Sequence, residues 1–309
     1  MSDNIQYAPV IVFAYKRKSH LERCLVSLSE CEGAKYTEVI VFSDGNKNEK
    51  DLDDVTDVRI CLEKWKDSGK FKNFEIVKRE KNYGLAKSVI SGVTEAFSEY
   101  ERIIVVEDDL ILAKDFLRYM SDGLKYYKDR KNYGSISAYT YDLKGLKKYK
   151  KDIYVLRKGD CWGWATWKDR WQNVDWELKD FETYLADKSR RKDFSYLEVG
   201  LEDQLIAQVE GRLDAWAARW IFHLFNNELV TVYPRVCRAV NIGLDGSGVN
   251  CSNYDISNKV LYSDKNVCHF EDLEVNKSLE KEVSRLGKRK TWDILMDILH
   301  ILRLRLTKK

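Results

Sequence analysis

Three consecutive acids, Glu107, Asp108 and Asp109, are the residues whose types and spacing most directly suggest chemistry. Like charges packed so closely repel each other, and a bound cation is the ordinary reason for tolerating them. Such an acid triplet can hold a divalent metal and, through the metal, a diphosphate. The alternative is a solvated turn that caps a following helix, since Asp is a good N-cap and residues 110–119 have a helical pattern.

The acid triplet directly follows Ile103-Ile104-Val105-Val106, a run of four β-branched residues. Such a run is typical of a strand that is buried on both faces, as strands inside a parallel sheet are. The acids would lie where this strand reaches the surface, and open α/β sheets bind ligands at the carboxyl ends of their strands. The triplet alone is compatible with both interpretations, and the rest of the chain favours the metal site.

The elements that must position these acids alternate between strand and helix through the first half of the chain. Strands are predicted at residues 10–14, 38–42, 74–77, 103–106 and 134–139. Amphipathic helices are predicted at residues 19–30, 52–66 and 85–97, with a further helix that ends near residue 127. This alternation predicts an α/β fold with a right-handed, mostly parallel, doubly wound sheet flanked by helices. From residue 144 the alternation fades, and that half is expected to pack on the sheet and complete a site.

Polar side chains follow several of the predicted strands. They are Tyr15, Lys16, Arg17, Asp44 and, early in a helix, Lys87. Because the carboxyl ends of parallel strands meet at one edge of a sheet, these groups would converge on the acid triplet. A carboxylate can accept an N–H from a base or a hydroxyl from a ribose, and cations can bind phosphate. Each residue alone could be a solvated surface group, but together they favour a nucleotide-diphosphate site.

Two common nucleotide-binding motifs are absent from the sequence. No GxGxxG follows the first strand, and no GxxxxGK[ST] occurs. The glycine-rich stretch at residues 243–248 has no strand and helix around it, so the pattern disfavours a dinucleotide-dependent dehydrogenase.

Composition limits the class of protein. The 309 residues include 44% hydrophobic and 12% aromatic side chains, enough for a real core, and the net charge of +3 gives no reason to expect a nucleic-acid partner. Seven scattered cysteines without a CxxC pair favour a reducing compartment over zinc binding or secretion. With no signal-peptide pattern and no apolar run of about 18 residues, we expect a cytoplasmic protein.

The strand ends also carry a family resemblance to glycosyltransferases of the GT-A fold. Three segments resemble them in this order: Pro9-Val-Ile-Val-Phe-Ala-Tyr-Lys-Arg17, Val41-Phe-Ser-Asp44-Gly45 and Val105-Val-Glu107-Asp-Asp109-Leu110. They are most similar to animal Golgi N-acetylglucosaminyltransferases that act on N-glycans and to bacterial sugar transferases with the same core. Segments 134–138, 159–171, 232–243 and 246–248 agree. The resemblance implies a catalytic domain at residues 1–251, and residues 252–309 form an extension outside it.

The resemblance implies a role for each matching residue. Asp109 would be the direct ligand of Mn²⁺ or Mg²⁺, Asp108 would approach the ribose, and Glu107 would support the loop or the sugar. Asp44 would face the uracil of a UDP-linked donor, and Arg17 would face the diphosphate. Tyr15 and Lys87 are added from their positions alone. A metal that bridges two phosphates, together with a cation, stabilises the charge that the departing nucleoside diphosphate gains.

The catalytic base is where this sequence departs from the family pattern. Inverting transfer needs a carboxylate that takes the proton of the acceptor hydroxyl. The relatives carry an aspartate directly after a tryptophan, and the matching pair here is Trp216-Ala217. The nearby acids Asp214 and Asp203 are the remaining candidates, and Asp214 is preferred because it lies nearest to the matched position. Either acid could instead cap a helix or lie on the surface.

Tryptophans crowd the segment that resembles the acceptor side of the family. Sugars often stack on exposed aromatic faces, which makes Trp162 and Trp164 the candidates for contact with an acceptor. Packing in the core is the commoner fate of a tryptophan and is the alternative for both.

The end of the chain has a separate pattern. Residues 292–306 are strongly apolar and helical in pattern, with basic residues on both sides, and they are too short and too charged to span a bilayer. Such a basic amphipathic helix can lie on an anionic membrane surface. It could equally pack against the catalytic domain or form a dimer contact.

The function implied by the resemblance is metal-dependent, inverting transfer of a hexosyl or N-acetylhexosaminyl group. The acceptor would be a saccharide or a lipid-linked saccharide of a bacterial surface polysaccharide, at the inner face of the membrane. One rival is a non-catalytic module that binds a nucleotide-sugar or a glycan, as Ala217 allows. A second rival is a sugar nucleotidyltransferase, which expects a glycine-rich loop after the first strand, whereas Ala14-Tyr-Lys-Arg-Lys-Ser19 has no glycine.

Overall fold

A computed structural model describes residues 6–214, 216–246, 261–262 and 266–286. The strands are β1 (Val10–Ala14), β2 (Glu38–Ser43), β3 (Asn73–Lys78), β4 (Arg102–Glu107), β5 (Leu110–Leu112), β6 (Tyr133–Ser137), β7 (Ile153–Leu156), β8 (Trp164–Trp167), β9 (Val230–Pro234) and β10 (Ala239–Asn241). The helices are α1 (Lys18–Ser29), α2 (Leu52–Lys66), α3 (Leu85–Glu99), α4 (Phe116–Tyr126), α5 (Lys168–Trp171), α6 (Phe181–Ala186), α7 (Lys188–Leu197), α8 (Leu201–Val209), α9 (Ala217–Asn226) and α10 (Lys277–Val283).

The described strands form one eight-stranded sheet in the order β3-β2-β1-β4-β8-β6-β9-β7, and β5 pairs with β10 in a separate ribbon. Strands β1 to β4 run parallel, and β6 and β9 run the same way. Only β8 and β7 oppose them within this sheet. The predicted α/β fold with a mostly parallel sheet is therefore confirmed, and helices cover both faces.

Alternation along the strands divides the core between the two faces of the sheet. Val10, Val12, Ile104 and Val106 point to the face that α1, α2 and α4 cover. Ile11, Phe13, Ile103 and Val105 point to the other face, which we call the tryptophan face. It is covered by α3 and α9 and includes Trp164, Trp171, Trp216 and Trp220.

Except at the start of α4, the predicted elements of the first half agree with the structure within two residues at each end. The helical pattern from Leu110 predicted that start wrongly. Leu110–Leu112 forms β5, which pairs antiparallel with Ala239–Asn241, and α4 begins only at Phe116. The alternation of buried Leu110, half-buried Ile111 and buried Leu112 fits a strand. Its partner lies far along the chain, so no local pattern indicates the pairing.

Residues beyond the predicted boundary at 251 pack on α4 and on the sheet. Phe270 is buried, with its ring centroid 5.3 Å from that of Tyr119. Leu279 and Val283 of α10 pack against Tyr154 and Leu156. The boundary between 251 and 252 stays a prediction, and the helix predicted at residues 292–306 lies outside the described residues. In the described part of the chain, no helix is both long enough and apolar enough to cross a bilayer.

Candidate functional site

The acid triplet lies at the carboxyl edge of the sheet. Glu107 is the last residue of β4 and pairs with Phe13, while Asp108 and Asp109 occupy the turn into β5. Ala14 pairs with Ser43, so the residues that follow β1 and β2 emerge beside the acids. The parallel strands thus bring together Arg17 and the acid triplet, as the sequence predicts, with Asp44 at the end of the next strand.

Arg17 joins two of the acids. Its Nη2 donates to Oδ2 of Asp109 at 2.8 Å and to Oδ1 of Asp108. Both carboxylates are 5% exposed. Burial raises the pKa of Asp108 to about 6, although Arg17 acts against the shift. Burial and the charges of Asp109 and Asp108 raise the pKa of Glu107 to about 8.

The ribbon of β5 and β10 closes over Asp109 with residues that were not among the predicted site residues. Asn241 donates from Nδ2 to Oδ1 of Asp109 at 3.4 Å, and the Ile242 N–H donates to the Asp109 carbonyl at 2.8 Å. A Cβ on Gly243 would lie 2.2 Å from Oδ2 of Asp109 and 2.8 Å from Nη1 of Arg17. Only a glycine therefore fits at 243 without moving the acid or the cation.

Asp44 is held by a turn at the same edge. Its carboxylate is 5% exposed and accepts N–H groups from Gly45 at 3.0 Å, Tyr83 at 2.9 Å and Gly84 at 3.2 Å. Burial raises the pKa of Asp44, and these backbone donors act against the shift. Asp44 thus fixes the turn at residues 82–84, just before α3.

The two candidate bases lie at helix starts. Asp214 is exposed, and its Oδ2 accepts the Ala86 N–H at 3.4 Å at the first turn of α3. This contact is the helix-capping alternative, and it puts Asp214 beside Gly84 and the Asp44 turn. Asp203 is exposed in the first turn of α8. Its neighbour Glu202 instead accepts hydrogen bonds from Tyr184 and Arg191.

Tyr15 contacts the loop after β2, and Lys87 lies in the first turn of α3. The Tyr15 hydroxyl donates to Asp51 at 2.8 Å and accepts the Lys47 N–H at 3.1 Å, so it ties down the loop after β2. Burial and the bond to Asp51 raise the pKa of Tyr15 to about 12. The Lys87 ammonium lies 4.6 Å from the ring centroid of Tyr83.

The two candidate tryptophans differ in exposure. Trp164 is fully buried, and its ring centroid is 5.1 Å from that of Trp216 and 5.7 Å from that of Trp171. This placement corrects the expectation that Trp164 contacts an acceptor, because no face of its ring is open to a sugar. Trp162 is only partly buried, with its ring centroid 4.7 Å from that of Tyr139.

A second polar cluster, which we did not predict, lies just before β8. Asp160 is 8% exposed, and its Oδ1 accepts the Trp162 N–H at 3.0 Å while its Oδ2 accepts the Tyr141 hydroxyl at 3.2 Å. Lys158 pairs with Glu198, and its ammonium is 4.0 Å from Asp160. Burial raises the pKa of Asp160, and the charge of Lys158 acts against the shift. The only sequence signal was that residue 160 falls within the segment 159–171.

Comparison with solved structures gave distant similarities. S. aureus TarS is 22% identical over 42% of this chain, with a TM-score of 0.31. The present chain spans only about a fifth (21%) of the TarS chain. GalNAc-T7 with UDP, GalNAc and Mn²⁺ is 12% identical over 77% of this chain and 44% of that chain, with a TM-score of 0.47. The galactosyltransferase LgtC, in complex with donor and acceptor sugar analogs, is 9% identical over 72% of both chains, with a TM-score of 0.38.

Comparison of sequences gave a family. No curated protein sequence matched the chain. Residues 10–186 match the family model described as Glycosyl transferase family 2. This match covers more than half of the chain and runs from the first residue of β1 to the last residue of α6.

Proposed function

This chain belongs to glycosyl transferase family 2, and from that premise we propose that it moves a sugar from a nucleotide-diphosphate donor, UDP-linked, to a saccharide acceptor. The observation that carries the proposal is the convergence of Arg17 and the acid triplet at one edge of the sheet, with Asp44 at the next strand end. Phosphates bind cations, and nucleoside hydroxyl and N–H groups bind carboxylates, so this edge suits both halves of such a donor.

Arg17 is the proposed diphosphate-binding cation. A guanidinium carries five N–H donors, so contacts with Asp108 and Asp109 leave donors for phosphate oxygens. The transition state of glycosyl transfer resembles an oxocarbenium ion, and the departing nucleoside diphosphate gains negative charge as the bond breaks. Arg17 would therefore stabilise the transition state more than the ground state.

Asp108 and Asp109 are the proposed metal-binding residues. Carboxylate oxygens suit Mg²⁺ and Mn²⁺, and the close fit of Gly243 over Asp109 shapes a tight cradle. Among the described residues, no three or more His, Cys, Asp and Glu side chains group closely enough to hold a metal ion by themselves. This set fits an ion that takes its other ligands from the donor phosphates and water. Such an ion would neutralise charge on the diphosphate.

Asp44 is proposed to act on the nucleoside side. Both of its oxygens already accept backbone N–H groups from residues 45, 83 and 84. Its contribution would therefore include fixing the turn at Tyr83, which would form one wall of a pocket for the base. Tyr15 and Lys87 would lie beside that turn. This combination supports a base-binding pocket at the start of α3.

Inversion at the sugar needs a carboxylate base, for which Asp214 stays the first proposal and Asp203 the second. Asp214 is exposed and lies at the same edge, which favours it. Its contact with the Ala86 N–H would have to loosen or be shared when an acceptor hydroxyl arrives.

The acceptor is proposed to be a saccharide, free or lipid-linked, in the synthesis of a bacterial surface polysaccharide. The half-buried ring of Trp162 supports a saccharide partner, because sugars stack on aromatic faces. A place at the cytoplasmic face, next to lipid-linked acceptors, belongs to the same proposal.

The alternative function is a non-catalytic module that binds a nucleotide-sugar or a glycan. It is favoured by Ala217 at the family's base position and by the helix-capping contact of Asp214. Turnover separates the two: an enzyme releases UDP from a UDP-sugar in the presence of acceptor, whereas a module binds without turnover.

The experiment that tests the proposal is calorimetry of the purified protein against UDP, GDP, dTDP and CMP, first with Mn²⁺ and then with EDTA. We expect UDP binding that needs the metal and is lost in Asp109→Ala. Asp122→Ala, which removes a carboxylate paired with Arg118 on α4, is the matched control and should bind UDP as the wild type does. Absence of all nucleotide binding by the wild type would contradict the proposal.

A further inference from the structure

The segment before β8 enters the sheet at the edge that carries the acid triplet. Trp164 pairs with Val105 of β4 on one side and with Ser137 of β6 on the other. Because β8 runs against both neighbours, the residues before Trp164 run past the end of β6 at Ser137 and along the last residues of β4 toward Glu107. The Gly163 carbonyl accepts the Ala138 N–H at 2.7 Å, which continues this pairing past the end of β6.

The Asp160 carboxylate retains capacity for further donors. It accepts one hydrogen bond at each oxygen, from the Trp162 N–H and from the Tyr141 hydroxyl. An ionised carboxylate offers about four acceptor positions, so about two stay open. Asp44 differs, because each of its oxygens already accepts two N–H groups. The side chain of Asp160 is thus fixed in place without being saturated.

Glu107 faces the same space as Asp160. It continues the alternation of Ile103 and Val105 and therefore points to the tryptophan face. No donor among the residues that the structure describes bonds to its carboxylate. The charge of Asp160 contributes to the raised pKa of Glu107, after burial and the nearer acids, which agrees with their closeness.

Aromatic rings form the remaining wall of this space. The Trp162 and Tyr139 rings meet edge to face at a centroid distance of 4.7 Å, and the Tyr139 and Tyr141 centroids are 5.2 Å apart. All three are only partly buried. Carboxylates with open acceptor positions beside partly exposed aromatic rings suit a ligand with many hydroxyl groups and apolar C–H faces.

We propose that Asp160 recognises the sugar of the donor by accepting hydrogen bonds from its hydroxyl groups, beside Glu107 and against the rings of Trp162 and Tyr139. The ligand class is a hexose or N-acetylhexosamine with neighbouring free hydroxyl groups, carried on the nucleoside diphosphate. Tyr141 is a positioning residue, because its hydroxyl fixes Oδ2 of Asp160. This inference rests on the proposed function, which it deepens by naming the part of the site that reads the sugar.

The test compares binding of UDP with binding of UDP-glucose, UDP-galactose, UDP-GlcNAc and UDP-GalNAc, all by calorimetry with Mn²⁺. In Asp160→Asn we expect the Kd for UDP to stay within about twofold, and the Kd for the preferred UDP-sugar to rise about tenfold, because hydrogen bonds to a charged acceptor are lost. Tyr141→Phe should weaken the UDP-sugar about threefold and leave UDP unchanged. Asp122→Asn, on α4, is the matched control and should change neither.

Two outcomes would overturn the inference. Equal weakening of UDP and UDP-sugar in Asp160→Asn would mean that Asp160 only supports the fold, and an unchanged UDP-sugar affinity would mean that it reads no sugar. If Asp160→Asn unfolds below the assay temperature, Tyr141→Phe decides by the same comparison, since it keeps the carboxylate. A wild type that binds no UDP with Mn²⁺ would refute the proposed function instead, so the two failures are distinguishable.

Discussion

Among the residues that the structure describes, Arg17 is the one cation that bonds to two acids of the triplet at the carboxyl edge. It contacts Asp108 and Asp109, whereas no hydrogen-bond donor in the described part of the chain reaches the carboxylate of Glu107. Burial without a partner disfavours the charged form of an acid. Glu107 is therefore the member of the triplet for which neutralising the charge should matter most.

Removing the charge of Glu107 should change how stability depends on pH. A folded-state pKa of about 8, against an ordinary value of 4.5, means that the folded protein keeps a proton that the unfolded chain releases. The stability that the protonated Glu107 contributes is complete below about pH 4.5 and is lost as the pH rises from there through about 8. In EDTA, the wild type and Glu107→Gln should have similar melting temperatures at pH 5. At pH 8 the wild type should melt a few degrees lower, by roughly 3 °C.

The control for this comparison is Glu99→Gln, at the exposed end of α3. It should track the wild type at both pH values. Equal melting temperatures of the wild type and Glu107→Gln at pH 8 would mean that Glu107 ionises without cost.

The sequence could assign a residue to the site where that residue lies next to a recognisable buried strand. Arg17, Asp44 and the acid triplet directly follow buried strands, and parallel pairing then brings them to one edge whatever lies between. Asp160 and Asn241 could not be assigned in this way. Asp160 precedes a short antiparallel strand, and Asn241 reaches Asp109 only through a ribbon between segments about 130 residues apart.

At the scale of elements, the ribbon of β5 and β10 is what fixes the position of Asp109. The three register pairs place Asn241 opposite Leu110, and the Ile242 N–H then bonds to the Asp109 carbonyl. Gly243 follows at once, with no room for a side chain. The ribbon thus acts as a clamp on the end of β4.

A methyl group at residue 243 should displace that clamp. In Gly243→Ala the new Cβ would overlap Oδ2 of Asp109 and crowd Nη1 of Arg17, so both side chains must move. We expect metal-dependent UDP binding to weaken about tenfold or more, since small misplacements of binding groups are costly, while circular dichroism shows a retained fold. The measurement is calorimetry with Mn²⁺.

Gly69→Ala is the matched control for Gly243→Ala. Gly69 lies in an exposed loop after α2, where a Cβ would meet nothing within 4 Å, although its φ of +64° adds some strain. It should bind UDP as the wild type does. Unchanged binding in Gly243→Ala would show that Asp109 tolerates a shift, and the clamp would then be unnecessary.

Elements of the first half could be predicted because each is long enough to show its own period. Leu52–Lys66 and Leu85–Glu99 bury one stripe of side chains, and the buried strands are continuous apolar runs. Leu110–Leu112 is too short for a period, so the helical pattern that follows it decided the prediction wrongly. Strands β7 and β8, after residue 144, were not predicted for the same reason, because they have only four residues each.

At the scale of the whole molecule, the family match confirms the resemblance to GT-A glycosyltransferases that the strand ends indicated. The family match ends at residue 186 and the predicted domain boundary lies at 251, yet the core continues past both. The Phe270 ring packs against Tyr119 and Tyr126 of α4, and Tyr127 and Tyr133 donate hydroxyl bonds to the carbonyls of Glu271 and Leu273. Family likeness and physical domain therefore need not end at the same residue.

Truncation should separate these two boundaries. A chain ending at residue 251 loses Phe270, the packing of α10 on β7, and the ion pair of Glu280 with Arg157. Loss of one buried aromatic side chain alone costs about 3–5 kcal/mol, so we expect a fall in melting temperature of about 10 °C or more, or an insoluble product. A chain ending at residue 286 keeps all of these contacts and should melt well above the chain ending at 251 and bind UDP with Mn²⁺. If instead the chain ending at 251 has the same melting temperature and UDP affinity as the chain ending at 286, residues 266–286 do not contribute to the stability of the core. The point variant Phe270→Ala tests the same contact without shortening the chain, and it should lie between the two truncations in melting temperature.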